Sequence, residues 1–230
     1  METRKSALLV GASGLVGRNL LQLLLAEERY AQVKILVRRS LSIPNAKLGE
    51  HIVDFDHLDR YSWLFDVEDV FCCLGTTIRT AGSQRAFRTV DFTYVVQTGA
   101  LASKGGAKQF LLVSSLGANP RSRTFYTRVK GEVEEAVSKL PFNAVHIFRP
   151  SFLLGEREEQ RTGENVAIAL MKLLRPLMIG GWKKLRPIQA TTVAAAMVRA
   201  AEMNKHGVNV FESDQIQTLG SSGDIQSNTH

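Results

Sequence analysis

Cysteine is almost missing from this chain: there are two in 230 residues, and they are neighbours, Cys72 and Cys73. Adjacent residues on a strand point to opposite faces, a poor geometry for a bridge between them. The count excludes a disulfide scaffold and points to a reducing compartment. Aromatic residues are sparse at 7%, too few for the stacking platform that binds single-stranded nucleic acid. The five histidines (His51, His57, His146, His206 and His230) are scattered and no Cys-x-x-Cys occurs, so no metal-ligand set is expected. Runs of five or six like charges are absent too, which excludes a charged tail. The most apolar helix candidates, 20–25 and 166–179, fall short of a membrane span, and the second is interrupted by Lys172, Arg175 and Pro176. No Pro/Gly/Ser linker divides the chain and no repeat stands out. The opening Met1-Glu2-Thr3-Arg4-Lys5 meets an apolar strand at Ala7, without room for a cleavable leader. These absences together lead to the expectation of a soluble cytoplasmic protein.

What is present has the balance of a globular domain: 44% hydrophobic and 22% charged residues. Lysine and arginine number 29 against 22 acids, a net charge of +7. Such an excess suits an anionic ligand, nucleic acid or an anionic membrane. It gathers at Arg38-Arg39, over 121–130 and at Lys183-Lys184, each by default a solvated surface. A nucleic-acid reader would need a reading helix or a concentrated basic stripe, and neither is visible.

Short apolar runs alternate with helical periods. Runs at 7–10, 33–37, 51–55, 70–74, 110–113 and 144–148 predict strands, with a late one at 208–211. Between them, spacing predicts helices over 15–26, 83–104 and 126–140, then 163–174 and 191–203, with Gly105-Gly106 closing the second. Continuous apolar strands separated by helices imply an α/β fold whose parallel sheet is covered on both faces. The reading is a Rossmann-type, doubly wound sheet in one domain over 1–219. A small C-terminal substrate lobe is expected within 151–219, and 220–230 as a disordered tail. In such sheets the ligand crevice lies at the carboxyl ends of the strands.

Between the first strand and first helix runs Gly11-Ala12-Ser13-Gly14-Leu15-Val16-Gly17, a G-x-x-G-x-x-G loop. Gly11 allows the tight turn, Gly14 lets backbone N–H groups approach a pyrophosphate, and Gly17 permits close helix–strand packing. The helix N-terminus adds about half a positive charge. This is a dinucleotide cradle. An acid at the end of the second strand selects the form without a 2′-phosphate, but here the sequence is Val37-Arg38-Arg39-Ser40. Arginine cannot accept from a ribose hydroxyl but clamps a phosphate, which favours NADP(H) over NAD, unless the pair is merely solvated. Asp54 after the third strand reads equally well as a partner of the adenine amine or as a helix N-cap.

Tyr126-Thr127-Arg128-Val129-Lys130 is Y-x-x-x-K, whose ends share one helix face. A free tyrosine, with a pKa near about 10, is a poor proton donor and acceptor at neutral pH; a nearby ammonium favours the phenolate. A second match, Tyr30-Ala31-Gln32-Val33-Lys34, falls at the amino end of the sheet, away from the crevice. Ser114-Ser115 ends the fifth strand; Ser115 is the preferred hydroxyl to polarise a substrate oxygen, Ser114 the runner-up, and either also suits a turn cap.

The loop, the pair and the serine together resemble the short-chain dehydrogenase/reductase superfamily. The phrases Cys73-Leu74-Gly75-Thr76-Thr77, Phe87-Arg88-Thr89-Val90-Asp91, Val113-Ser114-Ser115-Leu116-Gly117-Ala118, Phe125-Tyr126-Thr127-Arg128-Val129-Lys130-Gly131-Glu132-Val133-Glu134 and Phe148-Arg149-Pro150-Ser151 resemble its atypical Tat-interacting oxidoreductase branch. The resemblance covers most of 7–160. It implies that Ser13, Gly14, Leu15, Val16 and Arg38 hold the phosphates of NADPH, that Leu74 and Gly75 line the dinucleotide, and that Tyr126 and Lys130 form the catalytic pair. It places Leu153 near the nicotinamide and adds Arg161 as a further contact. One departure stands out: Cys-Leu-Gly-Thr-Thr replaces the superfamily's Asn-Asn-Ala-Gly after strand four. The asparagine that completes the usual proton relay has no counterpart there, and Asp91 reads as structural.

The expected function is NADPH-dependent reduction of a small carbonyl compound, with Tyr126 as general acid/base. Two alternatives are a cofactor-sensing regulator and an epimerase-like enzyme on a sugar nucleotide, although only about 80 residues follow Pro150. The expected partners are a small-molecule substrate and a second copy of the chain, with neither nucleic acid nor membrane. Phe87, Val90, Tyr94 and Val95 either form that subunit face or pack on the sheet.

Overall fold

All the expected strands form in the computed structural model, which describes residues 4–155, 185–203 and 205–221. The first half is β1 (Lys5–Val10), α1 (Leu15–Ala26), β2 (Tyr30–Val37), β3 (Leu48–Ile52), a run of 3₁₀ turns (Phe55–Phe65) and β4 (Asp69–Cys72). Two short helices follow, α2 (Ile78–Ala81) and α3 (Gln84–Arg88), then one wide π turn (Thr89–Thr93) and α4 (Tyr94–Lys104). After them come β5 (Gln109–Val113), α5 (Phe125–Ser138), β6 (Ala144–Arg149) and β7 (Leu153–Leu154). The last described part holds β8 (Ile188–Gln189), α6 (Ala190–Ala200), β9 (Gly207–Glu212) and α7 (Ser213–Ser221).

The main sheet has seven strands in the order β3-β2-β1-β4-β5-β6-β9, every neighbouring pair parallel. Strand side chains alternate between two apolar clusters. Leu9, Ile35, Phe71, Leu111 and Phe148 join the cluster that includes α1 and α6. Leu8, Leu36, Val70, Phe110 and Ile147 join the one that includes α4, α5 and the 3₁₀ run. The period-two alternation therefore carries apolar residues on both faces because both faces are covered. Phe71, Phe110 and Phe148 are fully buried, each contributing about 1.5–3 kcal/mol of transfer free energy. Strand order reverses between β1 and β4, which opens a crevice at their carboxyl ends.

Four expectations change in detail. The third strand is 48–52, not 51–55: pairing with β2 ends at Val37↔Ile52, and Asp54 accepts from the Asp56 N–H at 3.0 Å to cap the 3₁₀ run. The helix expected over 83–104 is broken by the π turn. Residues 190–203 and 205–221 belong to the main sandwich, with α6 on α1 and β9 as the seventh strand, and the separate two-stranded sheet β7–β8 packs Leu153 and Ile188 against the same core cluster rather than forming a lobe of its own. Gly220 and Ser221, expected in the tail, close α7, where Gly220 packs against the Thr192 backbone too tightly for a side chain. Residues 222–230 and the helix expected over 163–174 lie outside the described residues. Phe87 and Val95 are fully buried, while Val90 and Tyr94 line the crevice. Phe87 and Val95 thus pack within the chain, as the second of the two alternatives had it.

The opposite end of the sheet is closed by a polar floor. Buried Asp69 accepts from the Tyr30 hydroxyl at 2.8 Å and from Gln109 Nε2 at 3.1 Å, and pairs with Lys5 at 3.4 Å. Lys34 donates to the Asp66 carbonyl at 3.2 Å. The second Tyr-x-x-x-Lys match is therefore spent on this floor. Gln109 Oε1 also meets His146 Nε2 at 3.2 Å, and the imidazole is buried with Nδ1 unpartnered among the described residues. Burial, helped by the Lys205 charge, lowers the His146 pKa to about 4. An unfolded histidine takes up its proton near about pH 6.5. The unfolded state thus binds more protons between the two values, and stability falls as pH drops through that window. Urea unfolding at pH 7.5 and pH 5 should show a loss of about 2 kcal/mol assignable to this one residue. A His146→Leu variant should lose correspondingly less on acidification; an identical loss in the variant would contradict the assignment.

Candidate active site

The glycine loop leaves β1 at Val10 and turns into α1 at Gly14. Gly11 has φ +89, and a Cβ there would lie 2.6 Å from the Cys73 carbonyl, so both its backbone conformation and the passing β4 end demand glycine. Gly17 presses on the Gly11 carbonyl, where a Cβ would sit at 2.0 Å. No side chain caps α1 and its first turn carries no acid. Its leading N–H groups have no intrahelical acceptor, and the positive end of the helix meets the crevice uncompensated. That is the arrangement a pyrophosphate fits.

The crevice encloses about 460 Å³. Gly11, Ser13 and Gly14 form one side, Cys73, Leu74, Gly75 and Thr76 another, and Val37, Arg38, Phe55 and Tyr94 the far end. Arg38 is exposed there, with no carboxylate at ion-pair distance among the described residues. Tyr94 donates to Asp56 at 2.6 Å; burial and that acceptor push its phenol up to about 12, against the opposing Arg38 charge. Asp54 is the cap of the 3₁₀ run and pairs with His57 at 2.8 Å; it is not among the residues lining the crevice. The N-cap geometry is formed. Leu15 is half-buried and Val16 and Gly17 are buried, so these three form the cradle from behind. Leu153 on β7 packs with Leu15 against the same apolar cluster, and Leu154, Gly155 and Leu15 line an adjoining hollow of about 320 Å³. Arg161 lies outside the described residues. Burial pushes the Cys72 thiol up to about 12, and that of Cys73 up as well; Cys73 lines the crevice, while Cys72 lies in the core behind it.

Helix α5 delivers the second half of the site, and its residues 130–134 form most of the junction. Lys130 is buried and its Nζ lies 2.7 Å from Asp91 Oδ1. A Cβ built on Gly75 would stand 3.7 Å from that Nζ, which places the ammonium directly behind the crevice wall. Gly131 has no room for a side chain: a Cβ would lie 2.2 Å from the Asn119–Pro120 backbone. Glu132 takes Arg88 at 2.5 Å. Val133 enters the core. Glu134, buried, accepts from the Ser114 hydroxyl and from Arg149 at 2.5 Å, and Arg149 also pairs with Glu212 at 3.1 Å.

Tyr126, half-buried on the first turn of α5, packs its ring against Phe87 at 5.5 Å in a tilted arrangement, and its phenol is close enough to interact electrostatically with Lys130. The serines divide. Ser114 is consumed by Glu134, whereas among the described residues the Ser115 hydroxyl has only a long contact to the Leu116 carbonyl at 3.4 Å. Backbone bonds from Ser114 to Phe148 and from Leu116 to Pro150, at 2.7 and 3.0 Å, hold the turn that presents it. The partner missed from sequence is Asp91, whose carboxylate points inward from the π turn. The phrase Phe87-Arg88-Thr89-Val90-Asp91 contained it, but helical periodicity does not predict which face a π turn presents.

Comparison with known proteins gives this geometry its context. An NAD(P)H-binding family matches residues 11–167. The rat protein HTATIP2 is 37% identical over 225 residues, 96% of this chain and 91% of that one. Protein FMP52, mitochondrial, of Coccidioides immitis is 34% identical, over 84% of this chain and 83% of its own. Among solved structures, MoeE5 in complex with UDP-glucose and NAD superposes with a TM-score of 0.69 at 16% identity, over 94% of this chain and 80% of that one; at that identity the likeness is one of fold. The expectation of a cytoplasmic protein has to be corrected, because several fungal relatives are named mitochondrial. The cradle, the sheet and the sequence relatives agree, and the chain belongs to the NAD(P)H-binding family, alongside HTATIP2 and the fungal FMP52 proteins.

Proposed function

We propose that the protein is an NADPH-dependent oxidoreductase of the atypical short-chain dehydrogenase type that reduces a small carbonyl compound. The observation that carries the reading is the position of Lys130: its ammonium stands behind Gly75, in the wall of the same crevice that begins at the uncapped N-terminus of α1. The leading N–H groups of α1 bind the pyrophosphate, and Arg38 holds the 2′-phosphate at the far end. Bound NADPH supplies the hydride. Tyr126 gives its phenolic proton to the substrate oxygen as general acid, and acts as base in the opposite direction. Lys130 favours the phenolate that remains and donates to the nicotinamide ribose, while Ser115 donates to the substrate oxygen and fixes its direction. Leu153 closes the nicotinamide end.

A second reading, a regulator that binds the dinucleotide without turning it over, is favoured by the wall sequence Cys73-Leu74-Gly75-Thr76-Thr77, which has no asparagine for a proton relay. Two measurements decide. Titration should show tighter binding of NADPH than of NADH, and Arg38→Ala should weaken NADPH about ten- to a hundredfold, equivalent to about 1.5–3 kcal/mol, while leaving NADH unchanged. Equal affinities in the unaltered protein would remove the basis for NADP selectivity. Against a panel of aldehydes, ketones and quinones, Tyr126→Phe should lower turnover about 10²–10⁴-fold and leave NADPH affinity within about threefold. Turnover unaffected by the substitution would exclude Tyr126 as the proton donor, and a wild-type protein inert across the panel would favour the regulator.

A further inference from the structure

We propose that Asp91 is a positioning residue of this site: it holds Lys130 as an aimed cation and locks it to the crevice wall. The proposal rests on the reading of Lys130 as the partner of Tyr126 and deepens it. Asp91 is fully buried on the π turn between α3 and α4, and its two oxygens do different work. Oδ1 meets Lys130 Nζ at 2.7 Å, while Oδ2 accepts from the backbone N–H of Thr76 at 2.9 Å. Thr76 belongs to the wall that lines the crevice. One carboxylate thus joins three elements: the π turn, the β4 end and α5. With Oδ2 anchored on the Thr76 N–H, Oδ1 is turned to the Lys130 ammonium, which stands beside Gly75.

A purely structural role explains this poorly. A buried ion pair is weak evidence for stability, since apolar replacements of like volume are often as stable. The π turn, a feature frequent at functional sites, puts the helix faces before and after it out of phase by about 100°. That offset lets α3 present Phe87 to Tyr126, and α4 present Val95 and Ala102 to the sheet, with Asp91 between them facing Lys130. The groups that face Lys130 are Asp91 from the π turn, Tyr126 from its own helix and the neutral Cys72 thiol from β4. Burial alone strips a lysine of its proton, lowering its pKa by up to about 3–5 units. Here burial is the largest single influence and opposes the charge, but the Asp91 carboxylate, its first opponent, offsets it together with Tyr126 and Cys72, and the net direction is upward from the ordinary lysine value.

Asp91→Asn separates charge from scaffold, because an amide oxygen still accepts from Thr76 while the countercharge is gone. The test is a pH titration of the lysine side-chain Cε signals by NMR in the cofactor-free protein, with the Lys130 signal identified by its loss in Lys130→Met. In the unaltered protein Lys130 should titrate above about 10.4; in Asp91→Asn its midpoint should fall by about two pH units or more. Equal midpoints in the two folded proteins would overturn the proposal. So would a wild-type midpoint below the ordinary value, a result that remains decisive if Asp91→Asn does not fold. NADPH affinity, measured in parallel from pH 7 to 9, should decline with rising pH only in the Asn variant. If the midpoint moves but affinity is blind to pH, Asp91 holds the lysine charge as proposed and it is the nicotinamide-site reading of Lys130 that fails.

Discussion

Close approach of α5 to its surroundings is the constraint on which the rest of this site depends. At Gly131 the helix touches the Asn119–Pro120 backbone with no space for even one carbon, so the loop that leaves β5 is pressed onto the helix that carries Tyr126. The residues on either side convert that contact into orientation. Lys130 reaches Asp91, Glu132 reaches Arg88, and Glu134 reaches Ser114 and Arg149. Five consecutive positions thus grip the π turn, α3, the ends of β5 and β6, and the core. Their spacing follows from helical geometry: with about 100° between residues, positions 130 and 134 lie on one buried face while 132 turns outward.

The parallel sheet supplies the other half of the geometry. Because every strand runs the same way, each loop that carries chemistry emerges on one edge: the glycine loop after β1, Arg38 after β2, the Cys73–Thr76 wall after β4 and Ser115 after β5. The opposite edge holds the Asp69 floor, where Tyr30, Lys5 and Gln109 are tied to one buried carboxylate. The molecule therefore has two polar layers with different tasks. Groups in the floor satisfy one another, whereas the carboxyl edge of the sheet keeps an uncapped helix end, an exposed arginine and a serine hydroxyl with only a long contact among the described residues.

Much of this was legible from residue order alone, because the signals were local. Apolar runs ending at Gly11 and Gly75 marked strands that stop at a crevice, and Tyr126 and Lys130 shared a face by spacing. Position in the fold separated them correctly from Tyr30 and Lys34. What escaped was set by long-range packing. Nothing local to Asp91 distinguishes it from a surface helix acid, since its inward direction comes from a π turn and its partner is 39 residues away, from 91 to 130. Asp54 offered two roles, of which the structure forms the local one, the cap on the Asp56 N–H. The edge of β3 moved for a related reason: pairing with β2 ends at Val37, and the apolar Val53 and Phe55 belong to the turn packed below it rather than to the strand. The closing helix α7 was hidden by its glycine and serines, whose composition suggests fraying while Gly220 is in fact required by contact with α6.

A crystal structure of the protein with NADPH bound would examine the shared crevice most directly. The account predicts phosphate oxygens at the N-terminus of α1, the 2′-phosphate against Arg38, and the nicotinamide ribose in hydrogen-bond reach of a Lys130 still paired with Asp91. A dinucleotide whose nicotinamide lies away from Lys130 and Tyr126, or a Lys130 pulled off Asp91 to meet it, would contradict that account.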